Sequence, residues 1–159
     1  MIRQVTLEDL ERLIEIENLS FTKEEAATEV AFVNRIRMIP DSFFVAVDHG
    51  EIVGFVNGPV METDYITDDL FSETKENSKT GGVQSILGLA VHPMHRKKGI
   101  ASALLTYLET EAKKRERKAV TLTCLERLIP YYDKHGYENL GISQSEHGGE
   151  VWYNMTKIL

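Results

Sequence analysis

The sequence predicts one α/β domain of about seven strands and about four helices. Three observations carry that reading. Residues Ser85 to Val91 (SILGLAV) are almost uninterruptedly apolar, as a strand buried on both faces must be, and His92-Pro93 ends the run because proline donates nothing to a ladder. Directly after it, Ile100, Leu104, Leu105 and Leu108 recur at helical spacing. No internal repeat, low-complexity tract or linker divides the chain, so residues 1–159 are read as a single domain.

The elements follow in order. Ile2 to Val5 predicts a short strand, and Thr6-Leu7-Glu8-Asp9 offers an N-cap with an acidic residue three places on. In the helix that follows, Leu7, Leu10, Leu13, Ile14 and Ile16 supply a buried stripe, with Glu8, Glu11, Glu15 and Glu17 toward water. A second cap, Thr22-Lys23-Glu24-Glu25, is expected to open a helix through Val30, Val33 and Ile36 that Pro40 ends. Phe43 to Val47, the turn Asp48-His49-Gly50 and Glu51 to Val60 read as an antiparallel hairpin, with Gly54 marking a bulge. The stretch from 62 to 82 then gathers Glu62, Asp64, Asp68, Asp69, Glu73 and Glu76 ahead of Gly81-Gly82. It is either a solvated connection or a cover that favours an ammonium-bearing substrate. After the central strand and helix, the charged run Glu109 to Lys118 reads as a solvated helix end. Ala119 to Cys124 is the next strand, Leu128 to Tyr137 a short helix with Gly136 as left-handed cap, and Tyr137–Ser143 and Val151–Lys157 the last two strands.

Between the central strand and its helix lies Arg96-Lys97-Lys98-Gly99-Ile100-Ala101. Free backbone N–H groups at a helix start, the helix dipole and three cationic side chains converge there, which makes an anion site. The spacing is not that of a nucleoside-triphosphate P-loop, and the first two glycines of the dinucleotide fingerprint are missing.

Composition narrows the partners. A net charge of -7 argues against nucleic acid and is compatible with attracting a cationic small molecule. No apolar run approaches the roughly 20 residues that cross a bilayer, and MIRQVTLEDL lacks the apolar core of a signal peptide, so no membrane partner and a cytoplasmic location are expected. One cysteine, Cys124, forms no disulfide framework, and the five histidines show no ligand spacing, so no metal is expected.

The motif LAVHP-x-x-R-x-x-G-x-A, followed by L-T-C, L-I-P-Y-Y and H-G-Y, resembles the GCN5-related N-acetyltransferases (GNAT), most of all their serotonin or arylalkylamine branch. The resemblance spans nearly the whole chain. It implies the GNAT fold, a mixed and mostly antiparallel central sheet with flanking helices, and acetyl-CoA as the acetyl donor. In that family the strand before the pyrophosphate turn splays, and its backbone both holds the pantetheine arm and polarises the acetyl carbonyl. Carried over, this falls on Leu89, Ala90 and Val91, with the Leu89 N–H at the oxyanion. Lys97, Lys98, Gly99, Ile100, Ala101 and Ser102 match positions whose N–H groups surround the pyrophosphate, with Arg96 or the lysines adding charge. Tyr132 matches the general acid near the CoA sulfur, and Tyr131 is the structural neighbour beside it. Cys124 is expected as a small buried thiol, not an acyl carrier.

Two histidines that relay the amine's proton in the arylalkylamine branch are replaced here by Ser85 and Leu87, and an asparagine seven residues before the catalytic tyrosine by Leu125. His92 and His147 are alternatives by residue type alone, read as exposed and without a catalytic part. The implied reaction is direct acetyl transfer to a primary amine of an arylalkylamine or polyamine-like small molecule. The competing readings are a protein or peptide amine as acceptor, and a CoA-binding regulatory module without turnover. Neither composition nor motif decides between a monomer and a homodimer.

Overall fold

The computed structural model describes residues 1–72 and 74–159; Glu73, counted above among the acidic residues of the 62–82 stretch, lies outside them. The strands are β1 (Ile2–Gln4), β2 (Phe43–Asp48), β3 (Glu51–Asn57), β4 (Val60–Met61), β5 (Val83–Ile86), β6 (Gly88–Val91), β7 (Ala119–Cys124), β8 (Glu138–Ile142) and β9 (Tyr153–Ile158). The helices are α1 (Leu10–Ser20), α2 (Glu29–Met38), the short α3 (Asp69–Ser72), α4 (Ile100–Lys114) and α5 (Ile129–Lys134). Strands run β1-β2-β3-β6 in one sheet and β4-β5-β7-β9-β8 in the other, and among the described residues only β5 with β7 is parallel.

The strand count exceeds the expected seven for two reasons. The apolar run 85–91 is split at Leu87 into β5 and β6, which belong to different sheets, and Val60 leaves the hairpin to start β4. The hairpin itself turns at His49 and Gly50, with φ of 51° and 77°, the left-handed pair a two-residue turn demands. The expected bulge falls beside Gly54, where the register steps between Ala46 and Val47.

Helices cover both faces. On one, Leu104, Leu105 and Leu108 of α4 pack with Phe44, Val56, Val120, Leu122 and Met155. On the other, Leu13 and Ile16 of α1 and Phe32 and Ile36 of α2 pack with Phe43, Val45 and Phe55. No helix among the described residues is long and apolar enough to cross a membrane.

Several boundaries differ from expectation for identifiable reasons. Leu7 sits in a 3-10 turn ahead of α1 and is half exposed, whereas Glu17 is buried because it stands four residues after Leu13, on the same helical face. The box at Thr22 and Glu25 closes only a turn, and α2 begins later, where Thr28 Oγ1 accepts the Ala31 N–H at 3.1 Å. In that register Val30 points outward, and Arg35 is carried inward with Phe32 and Ile36. Arg117 is no solvated end. The chain reverses at Glu116 (φ 58°) and tucks Arg117 under the helix, donating to Gly81 O at 2.9 Å. The 62–82 stretch is anchored by Ile66, Leu70 and Phe71 against Met61, Val83 and Ala119.

Gly58 marks where the two sheets part. A Cβ there would lie 2.0 Å from Ser85 O and 2.5 Å from the Ser85 carbonyl carbon. That backbone is fixed in turn by Gln84 Nε2 and Ser42 Oγ, each donating to Gly58 O at 2.7 Å. Gly58→Ala is therefore expected to cost about 3 kcal/mol, the upper part of the ordinary single-substitution range. A urea midpoint unchanged from wild type would contradict the close approach.

Candidate active site

The wedge between the sheets is set by backbone pairing. Leu87 N–H donates to Asn57 O at 2.8 Å and His92 N–H to Val53 O at 2.8 Å, so the strand leaves β7 after Ile86 and joins β3. Antiparallel hydrogen bonding alternates, so on the register Phe55↔Ala90 and Asn57↔Gly88 it is Ala90 and Gly88 that bond β3. The N–H and C=O groups of Leu89 and Val91 then point the other way, into the wedge. The Val91 carbonyl agrees, since it accepts Arg96 Nε at 3.2 Å.

The turn after β6 is built for backbone donors. His92 Nδ1 accepts the Met94 N–H at 3.1 Å, capping a 3-10 turn over Pro93–His95, so His92 is structural. Lys97 and Gly99 both adopt left-handed backbone, with φ of 64° and 78°. A non-glycine residue in that region stores strain of about 1 kcal/mol or more, a cost that clusters at functional sites. Gly99 opens onto empty space, with nothing within 4 Å of a built Cβ. Ile100, Ala101 and Ser102 are the first residues of α4, whose N–H groups have no partner within the helix. The turn thus fits an anionic diphosphate: exposed donors, a helix N-terminus, and the Lys97 and Lys98 side chains in solvent. Arg96, by contrast, ties the turn to the strand.

Ser102 also uses its side chain. Its Oγ lies 3.1 Å from Tyr131 Oη and 3.0 Å from His135 Nε2, while His135 Nδ1 lies 2.8 Å from Tyr131 O. A carbonyl only accepts, so Nδ1 carries the proton toward Tyr131 O, and Ser102 Oγ links Tyr131 Oη to His135 Nε2. These bonds lock α5 to α4 and thereby aim the next residue, Tyr132. Its ring packs edge-on against Tyr131 and Tyr137, at 5.2 and 5.8 Å between centroids. Burial, helped by Cys124 and Tyr131, holds the Tyr132 phenol well above its ordinary range, so it is a neutral donor. Burial likewise pushes the Cys124 thiol up to about 11, in keeping with a protonated core residue.

Leu89 and Tyr132 line one cavity of about 90 Å³ together with Ile86, Leu87, Leu122, Thr123 and Cys124. The rest of its lining comes from residues to which the sequence reading gave no part in the site, Glu17, Phe21, Glu25, Arg35, Phe71 and Trp152, and from His147, which it named by residue type alone. His147 corrects the expectation of an exposed bystander. Its Nε2 donates to Glu25 O at 2.7 Å, and its ring stacks on Phe71 at 4.6 Å and 10°. Trp152 Nε1 donates to His147 O at 2.6 Å. These contacts roof the far end by joining the segment between α1 and α2 to the loop between β8 and β9.

Two buried charges stand in this wall. Glu17 is 5% exposed, and its Oε2 accepts the Ala27 N–H at 2.7 Å. Burial pushes its carboxyl above the usual range, against the opposing pull of Ala27 N–H, Arg35 and His147. Arg35 donates to Asn57 Oδ1 at 3.3 Å and to Phe71 O at 3.0 Å, and burial lowers its guanidinium to about 10. The described acidic residues of the 62–82 stretch, Glu62, Asp64, Asp68, Asp69 and Glu76, are not in this lining; that segment contributes Phe71.

Comparison with known proteins agrees with this architecture. The model of the acetyltransferase (GNAT) family matches residues 10–137. The chain is 24% identical over 144 residues to serotonin N-acetyltransferase of Mesocricetus auratus, spanning 87% of this chain and 68% of that one. Among solved structures, the GphF GNAT-like decarboxylase in complex with isobutyryl-CoA superposes with a TM-score of 0.83 at 17% identity, over 99% of this chain and 98% of that one. Ard1 from Thermoplasma volcanium gives 0.77 at 22%, over 100% and 97%. A family match over most of the chain, on a fold whose central strand splays beside an open anion turn, makes this protein a member of the GNAT family, an N-acetyltransferase with acetyl-CoA as its donor.

Proposed function

We propose that the enzyme transfers acetyl directly from acetyl-CoA to a small primary amine with an aromatic or apolar body, both substrates being bound together. The carrying observation is the roofed far end of the cavity. Phe21, Phe71 and Trp152 offer apolar and aromatic surface, Glu17 offers a carboxylate for an ammonium, and the His147 to Glu25 contact ties the loop between β8 and β9 to the segment between α1 and α2 around them. That a serotonin N-acetyltransferase is among the relatives supports the same class of acceptor.

In this reading the backbone N–H groups of Lys97, Lys98, Gly99, Ile100, Ala101 and Ser102 hold the pyrophosphate. The backbone of Ala90 and Val91 guides the pantetheine arm. The Leu89 N–H, directed into the wedge by the β3 register, donates to the thioester oxygen as it gains charge. Tyr132 donates to the departing sulfur.

CoA-thiol release is expected with arylalkylamines, more slowly with linear polyamines, and not with peptides. Mass spectrometry of the products checks the assignment. Faster acetylation of peptide amines would overturn it, and a melting shift with acetyl-CoA but no amine-dependent release would mean a binding module.

A further inference from the structure

An amine acceptor arrives as an ammonium ion, which has no lone pair with which to attack, so a base must stand at the far end of the cavity. Ser85 cannot serve, because its Oγ donates to Pro59 O at 2.6 Å inside the core, and Leu87 has nothing to titrate. Among the described residues, the titratable side chains lining the cavity are Glu17, Glu25, Arg35, Cys124, Tyr132 and His147. Arg35, Cys124 and Tyr132 all keep their protons near neutral pH, Arg35 at about 10 and Cys124 at about 11. Glu25, unlike the buried Glu17, belongs to an exposed turn, where its Oε1 accepts Thr22 Oγ1 at 2.9 Å and Thr22 N–H at 3.3 Å and water reaches the carboxylate. His147 is fixed as wall, donating through Nε2 and lying flat on Phe71.

Glu17 differs from all of these. Its carboxyl is buried in the wall, and the Ala27 N–H holds one oxygen, Oε2, which sets the orientation while the second oxygen remains for a ligand. We infer that Glu17 is the catalytic base that takes the proton of the acceptor ammonium, an inference that rests on the small-amine reading above.

The step balances. Glu17 carboxylate takes one proton from R-NH3+, leaving R-NH2, whose lone pair forms the C–N bond to the thioester carbon. As the C–S bond breaks, sulfur takes a proton from Tyr132, and Tyr132 recovers the second proton of the nitrogen. The products are the amide, CoA thiol and one proton, which Glu17 releases to solvent.

Charge around Glu17 comes from Arg35 on α2, His147 between β8 and β9, and Glu25 between α1 and α2. The first two favour the carboxylate and Glu25 opposes it, but burial outweighs them and raises the carboxyl above its ordinary range. The acid limb of kcat/KM then follows Glu17: the rate rises with pH as the carboxyl ionises.

Glu17→Gln tests this with two acceptors, phenethylamine and O-benzylhydroxylamine. The second is already uncharged near neutral pH and needs no base. The amide oxygen still accepts the Ala27 N–H, so melting temperature and acetyl-CoA affinity should match wild type. Expected is a loss of about 10²-fold or more in kcat/KM for phenethylamine, disappearance of the acid limb, and near wild-type rates with O-benzylhydroxylamine. His147→Gln should depress both acceptors alike and keep the limb. Equal loss with both acceptors in Glu17→Gln, wild-type rates with phenethylamine, or loss of the limb in His147→Gln instead would overturn the assignment. A wild-type enzyme that binds acetyl-CoA yet acetylates neither acceptor would overturn the small-amine reading itself, a result distinct from the others.

Discussion

Gly99→Glu is expected to remove measurable acetyl-CoA binding while leaving the fold intact. Three terms act together at this residue. Its φ of 78° is left-handed, where any L side chain costs about 1–2 kcal/mol. The new side chain would project into the space at the start of α4 that the pyrophosphate is to occupy, since nothing of the protein lies within 4 Å of a Cβ there. Its carboxylate would also meet the diphosphate with like charge, where the helix N-terminus now favours an anion. Displacing several charge-assisted bonds of about 1.5–3 kcal/mol each gives a loss of at least about 10³-fold. Because the substituted residue faces open space, the melting temperature should fall by only a few degrees, about the size of the backbone term. Gly99→Ala separates the contributions: it carries the φ penalty without charge or reach, and should lose about tenfold. Isothermal titration decides, and wild-type affinity in Gly99→Glu would take the diphosphate away from this turn.

The two ends of the site were unequally legible in the sequence, and the reason is physical. The donor end is backbone chemistry on one continuous segment. An apolar strand, a glycine turn and a helix start can be read in order, and the glycine of that turn, Gly99, adopts left-handed backbone. The strand Ala119–Cys124 and the cap at Gly136, with φ of 90°, could be read for the same reason, since local composition decides them. What the run 85–91 does not reveal is its change of sheet at Leu87. Every residue after Ser85 remains apolar, and the switch is imposed from a distance by Gly58 against Ser85.

The acceptor end had no such local signal. It is gathered from α1, α2, α3 and the loop between β8 and β9, and its charges break the rule that acids and bases face water. Glu17 offers one clue, its place four residues after Leu13, but its burial is settled only when Ala27 arrives from the segment between α1 and α2 and Arg35 from α2. His147 is equally nonlocal: its partners Phe71 and Glu25 lie far away in sequence. Arg117 repeats the lesson away from the site, since a charged run reads as solvated until the reversal at Glu116 turns one member inward.

Tyr132→Phe should slow acetyl transfer by about 10²- to 10³-fold, the usual cost of deleting one donor aimed at developing charge, with acetyl-CoA affinity changed only a few-fold. The fold should tolerate it, because phenylalanine keeps the edge-on packing against Tyr131 and Tyr137 and loses only the hydroxyl. The direction of the Tyr132 shift sharpens the chemistry. A phenol held far above its usual range cannot surrender its proton outright to a thiolate, whose own proton affinity is near that of a free cysteine, about 8.5. It can donate a hydrogen bond as sulfur gains charge, and pass its proton only while it recovers one from the nitrogen. Loss of the hydroxyl should therefore lower kcat and kcat/KM alike, the mark of a contact made in the transition state. The raised pKa also fixes a sign for pH: a rate that needs neutral Tyr132 would fall only above that pKa, so no basic limb from Tyr132 should appear in the range where the enzyme stays folded. Acetyl donors whose thiols leave more easily should narrow the gap between Tyr132→Phe and wild type, because a more acidic thiol needs less help from a donor. Equal turnover by the two proteins across pH, or a gap independent of the leaving thiol, would remove Tyr132 from this role and leave it a packing residue of α5.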